Sequence, residues 1–127
     1  MKLALDTNRY VDFCRGDPDA VQKIRSASII GMPAIVLGEL RAGFVAGSQA
    51  QRNEKGLVQF LNSPRVQILS PDEQTSHHYA ALYKQLRDQG TPIPTNDLWI
   101  AALVLQHGMI LHARDKHFDH LPQLARI

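Results

Sequence analysis

TNDLWIAALVLQHGMILHARDKHF, residues 95–118, is the stretch whose reading decides the fold. Thr95–His107 predicts a helix that is apolar on more than one side, at Leu98, Ile100, Leu103, Val104 and Leu105. A helix apolar all round is buried rather than laid across a surface. Gly108 stands where a helix C-terminal cap belongs, because glycine enters the left-handed conformation without steric cost. Met109–Leu111 then predicts a short strand, and Asp115 follows it. A buried helix that turns on a glycine straight into a strand is a piece of an alternating α/β chain.

The rest of the chain repeats that alternation. Met1–Leu5 is a short apolar run closed by Asp6, a first strand. Asn8–Cys14 predicts a helix ended by Gly16-Asp17-Pro18, and Asp19–Ala27 a second. Ile29–Ile35 predicts a strand that Pro33 requires to be short or at an edge. Leu37–Ala46 and Gln49–Leu61 predict helices, and Arg65–Leu69 another strand. Ser70, Pro71 and Glu73 predict the cap, first helical position and capping box of a helix that ends at Gly90. Its inner face is expected to carry Tyr79, Leu82, Tyr83 and Leu86. No repeat, low-complexity run or linker interrupts residues 1–127, which therefore predict a single domain. The expected fold class is α/β, a three-layer α/β/α sandwich around a mostly parallel sheet.

Bulk composition narrows the function classes. With 127 residues, 44% hydrophobic and 20% charged, the chain is a globular protein large enough to need no staples. Its one cysteine, Cys14, rules out an internal disulfide framework and suits a cytoplasmic setting. Beside Phe13, Cys14 is expected to be a small buried hydrophobe. No apolar run approaches the ~20 residues that cross a membrane, and Asp6 comes too early for a signal peptide. The net charge of +2 identifies no partner by itself.

Four acids fall at equivalent places in this map. Asp6 ends the first strand, Glu39 lies in the first turn after the second, Asp97 opens the buried helix, and Asp115 follows the last strand. In α/β sheets, ligands gather beyond the carboxyl ends of the strands. Singly, each acid could close a turn or complement a helix dipole. Gathered together they repel, and a hard divalent cation such as Mg2+ or Mn2+ resolves the repulsion through oxygen ligands. Such a site suits phosphodiester hydrolysis. With four of the 12 acids committed there, eight face 14 basic residues, a surplus suited to a polyanion. Arg41, Arg114, Lys116 and His117 lie close in sequence to the acids and are candidates for holding phosphates; a solvated rim is the plainer role.

Leu5-Asp6-Thr7-Asn8, the run GELRAG at 38–43, PTNDLWIAA at 94–102 and RDKHF at 114–118 together resemble PIN-domain ribonucleases. The short length and the final motif resemble the VapC-type toxins of toxin–antitoxin pairs. The resemblance spans nearly the whole chain. It implies an α/β/α fold with a parallel sheet, and it places Asp6, Glu39, Asp97 and Asp115 at the family's acidic metal positions. Asn8 matches a residue that helps arrange that site, and Asp119 is a supporting candidate. The implied activity is Mg2+- or Mn2+-dependent cleavage of structured RNA such as tRNA or rRNA. The implied partners are a second copy of the chain and a VapB-type antitoxin.

Three positions depart from the pattern. Ala113 stands where a Thr or Ser often precedes the last acid, and Val36 where a Ser or Thr often caps the Glu39 helix. Loss of such a cap costs ~1 kcal/mol. Arg9, a long cation in place of an apolar residue, could face substrate, partner or solvent.

Rival readings remain open on the residues alone. A PIN-like module could hold RNA or a partner without cutting it. A phosphatase with an aspartate nucleophile would favour a second acid where Asn8 stands. Zinc would draw on the histidines, but His112, His117 and His120 have no nearby cysteine and fit no common zinc spacing. All six histidines, including His77, His78 and His107, are expected not to be metal ligands. Crowded carboxylates also predict that the metal-free acids burden stability at neutral pH.

Overall fold

The computed structural model describes residues Met1–Ile127. Four strands, β1 (Lys2–Leu5), β2 (Ile29–Pro33), β3 (Val66–Leu69) and β4 (Ile110–His112), form one sheet in the order β3-β2-β1-β4. Every pairing is parallel: Leu3 registers with Ile30 on one side and Ile110 on the other, and Ile30 with Val66. Six helices complete a three-layer α/β/α sandwich: α1 (Thr7–Cys14), α2 (Pro18–Ser26), α3 (Ala34–Ala46), α4 (Ala50–Leu61), α5 (Glu73–Gln89) and α6 (Thr95–His107). A short 3-10 helix spans Lys116–His120.

The central strands are buried on both faces, which is why they read as runs such as Leu3-Ala4-Leu5 rather than as alternation. Helix α6 runs through the core with Leu98, Ile100, Ala101, Ala102, Leu103 and Val104 all buried. Gly108 caps it at φ 62° and releases the chain directly into β4. The core is one cluster that runs from Leu3 to Leu124 and includes Phe118, fully buried in the 3-10 helix.

Several local expectations are corrected. β2 is an interior strand, between β1 and β3, and it is the longest of the four. Pro33 is tolerated because it is the last strand residue, where the missing N–H falls at the end of the ladder. Helix α3 begins at Ala34, so Glu39 lies in its second turn rather than its first. Val36 is inside that helix and fully buried, so no cap was lost there; Pro33 occupies the cap position without a side-chain bond. The cap of α5 is Asp72, not Ser70. Its carboxylate accepts from Thr75 N at 3.1 Å, and Thr75 Oγ1 accepts from Asp72 N at 2.9 Å. Tyr83 on α5 is half exposed, and Thr75 takes its place among the buried residues of that helix. Cys14 is exposed, because it ends α1 where the chain turns outward through Gly16.

Candidate active site

All four strands point the same way, so the residues that follow them collect at one edge. Asp6 leaves β1 and caps α1, its Oδ1 accepting from Thr7 N at 2.8 Å. Glu39 comes from α3, Asp97 from the first turn of α6, and Asp115 from the loop after β4. Asp6 feels the charges of Asp97, Glu39 and Asp115. The four acids expected at this edge are thus brought into one electrostatic neighbourhood.

Their environments differ. Burial, opposed by the Thr7 hydrogen bond and reinforced by the other three carboxylates, pushes the Asp6 carboxyl up to about 6. Asp97 is also raised, by burial first, although the His117 hydrogen bond works against the shift. Glu39 is held in place: its Oε1 accepts from Thr7 Oγ1 at 2.8 Å, and its Oε2 lies 3.5 Å from Asn96 Nδ2. Asp115 caps the 3-10 helix, accepting from His117 N at 2.9 Å.

His117 joins two of the four acids. Its Nδ1 lies 2.8 Å from Asp97 Oδ2 and 3.0 Å from Asp115 Oδ1. Ligating atoms of Asp97, Asp115 and His117 all lie within 4.8 Å of one another. The donor set is carboxylate oxygen with one imidazole nitrogen, and no thiolate joins it. Two buried carboxyls with raised proton affinity and no cation of the protein between them are a set that a hard divalent ion fits.

The expected supporting residues are placed as follows. Asn8 is exposed on α1, and the hydrogen bonds to the acids come from its neighbour Thr7 instead. Asp119 ion-pairs with Arg126, whose Nη2 donates to the carbonyls of Ala113 and Asp115 at 3.1 Å each. A clamp from the end of the chain thus fixes the loop where a hydroxyl at position 113 was expected.

Two expected phosphate-binding cations have partners of their own. Arg41 forms a two-pronged bond with Glu54 at 3.0 and 2.9 Å, and Arg114 another with Asp12 at 2.9 and 3.0 Å. Lys116 is exposed and has no ion pair, so its charge is uncommitted at the rim. Arg9 does not reach into open solvent. It sits largely buried among Asp12, Asp17 and Asp19.

Thr7, Asn96 and Arg126 were missed as site residues by the sequence reading. The first two lie inside quoted motifs, next in sequence to Asp6 and Asp97, but the acid their side chains bond is the distant Glu39. Arg126 lies near the end of the chain with no local signal, and only the fold brings it to residue 115.

Residues 3–124 match the PIN domain family. Among related proteins, Ribonuclease VapC4 of Mycobacterium tuberculosis is 31% identical over 97 residues, 76% of this chain and 75% of the relative. Ribonuclease VapC1 of Haemophilus influenzae is 31% identical over 129 residues, covering 98% of this chain and 95% of its own. Among solved structures, VapBC2 from Rickettsia felis, bound to a DNA fragment from their promoter, has a chain that superposes at a TM-score of 0.86 with 26% identity, covering 100% of this chain and 98% of that one.

Proposed function

Because the chain belongs to the PIN-domain family, among its VapC ribonucleases, we propose that it is the toxin of a toxin–antitoxin pair. It is a ribonuclease, a hydrolase of phosphodiester bonds, and its substrate is structured RNA such as tRNA or rRNA. The observation that carries this reading is the convergence of Asp6, Glu39, Asp97 and Asp115 at the carboxyl edge of a parallel sheet, with two of them buried.

The resident cofactor is Mg2+ or Mn2+, held by Asp6, Asp97 and Asp115 with Glu39 beside them. When bound, such an ion supplies a water activated for in-line attack at phosphorus and stabilises the leaving oxygen. The chain supplies positioning. Thr7 and Asn96 hold Glu39 from two sides. His117 bridges Asp97 and Asp115. Arg126 holds the backbone that carries Asp115. Lys116, exposed and without an ion pair, supplies a free cation for a phosphate of the substrate backbone in this reading.

The partners proposed are a VapB-type antitoxin and a second copy of the chain. Supporting the antitoxin is the VapBC2 complex among the related structures. Supporting a protein partner more generally is the hairpin of α3 and α4. Val45 at the end of α3 is 78% exposed, and the groove beside it is lined by Phe44 and Ala50 together with Arg41 and Glu54.

The direct test incubates the purified protein with total cellular RNA and Mg2+ or Mn2+, beside an Asp97→Asn control. Discrete new RNA ends are expected from the native protein alone. Identical RNA from both proteins, in a pool shown to contain tRNA and rRNA, would leave the non-cleaving binding module as the better reading.

A further inference from the structure

Two of the four acids, Asp97 and Asp115, meet at one imidazole nitrogen, Nδ1 of His117. We propose that His117 is a ligand of the metal ion through Nδ1, beside Asp97 and Asp115, and that it biases the site toward Mn2+ over Mg2+. This rests on the reading of the four acids as a metal site and names a nitrogen donor within it.

Geometry is the first support. Ligands at ~2.1 Å around an octahedral ion lie ~3.0 Å apart when they are at right angles. The Nδ1 separations of 2.8 Å to Asp97 and 3.0 Å to Asp115 fall at that edge length. All three ligating atoms lie within 4.8 Å of one another, so a small side-chain shift at most is needed to bring them within the ~4.2 Å that opposite ligands of such an ion span.

The second support is how the ring is held. His117 is the second residue of the 3-10 helix capped by Asp115, and its own N–H donates to Asp115 Oδ1 at 2.9 Å. The next residue, Phe118, is fully buried and anchors the turn in the core. The backbone therefore delivers the ring to the carboxylates whether or not an ion is present. In the metal-free protein the two carboxylates hold a proton on Nδ1, while Nε2 makes no hydrogen bond to the protein and is free to carry that proton when a cation displaces it. With the proton on Nε2, the Nδ1 lone pair faces the two acids, and a cation between them takes the place of the hydrogen bonds.

Donor chemistry sets the consequence. Mg2+ prefers oxygen and keeps its waters, whereas imidazole nitrogen suits transition metals. An all-oxygen site gains little from Mn2+, while one with an imidazole gains more.

The test uses the full chain with Mn2+ as the probe. Pulsed electron paramagnetic resonance on bound Mn2+ reads coupling to a directly ligating nitrogen. Competition titrations give dissociation constants for Mn2+ and Mg2+. The native protein is expected to show nitrogen coupling that vanishes in His117→Ala and in His117→Gln, the second of which keeps a polar group beside the acids. Mn2+ affinity should fall ~10–100-fold, in the range lost when even a group supporting a ligand is removed, and Mg2+ affinity should fall less. Bound Mn2+ without nitrogen coupling in the native protein overturns the role of His117 and leaves the acidic metal site standing. Mn2+ affinity unchanged by Asp97→Asn overturns the metal site itself.

Discussion

Asp6 illustrates how one side chain can serve function at a cost to the fold. It must be ionised to hold a cation, yet burial holds its carboxyl up at about 6 against an ordinary 3.8. Between those values the folded metal-free protein keeps a proton that the unfolded chain releases. The stability linked to that proton is full below about 4 and is lost as the pH rises through 6. Asparagine at this position keeps the helix-capping oxygen but carries no charge. Asp6→Asn should therefore raise the melting temperature of the metal-free protein at pH 7, by up to ~3 kcal/mol of stability. The difference between the two proteins should shrink toward pH 4 in thermal melts. Asp97→Asn should gain less, because the carboxylate it replaces accepts a hydrogen bond from His117. Lower metal-free stability for Asp6→Asn at pH 7 would identify its carboxylate as a structural acceptor instead. Thr7 acts on the same site through Glu39. Thr7→Val removes the 2.8 Å bond to Oε1 and should weaken metal binding ~10–100-fold with the fold intact, as read by calorimetry.

At the scale of elements, caps and clamps decide where helices begin and loops settle. Helix α5 starts on the reciprocal bonds of Asp72 and Thr75, and Gln106 of α6 donates to the same Asp72 carboxylate at 3.0 Å. Asp72→Ala should cost about 1–2 kcal/mol in chemical denaturation, whereas Ser70→Ala should leave stability unchanged. The sequence reading offered Ser70 alone, because Pro71 suits a first helical position and Glu73 completes a capping box with Ser70. The contact with α6, which no local pattern encodes, singles out Asp72. Val36 gives the same lesson in reverse. A serine there would not restore a cap but would put an unpaired hydroxyl in the core, since the helix begins two residues earlier.

Across the whole molecule, the site depends on elements separated by more than a hundred residues. Asp6 and Asp115 are neighbours because β1 and β4 pair in parallel, with Leu5 in register with His112. Phe118 ties the last acid to the core. Phe118→Ala should lower global stability by ~3–5 kcal/mol, and denaturation followed by circular dichroism and by loss of metal binding should then share one midpoint. The alternating pattern, the buried α6, the Gly108 cap and the acids that follow β1 and β4, Asp6 and Asp115, were legible in the sequence. Each is a local matter of apolar periodicity, of glycine's freedom, or of a charge placed where an apolar run stops. Tertiary structure alone decided that Pro33 lies in an interior strand, that Arg114 and Arg41 are already paired, and that His117 rather than Lys116 enters the carboxylate cluster. It also decided that Arg126 supports Asp115. These outcomes depend on distances between residues remote in the chain, which packing of the sheet and helices sets and which residue type and spacing do not.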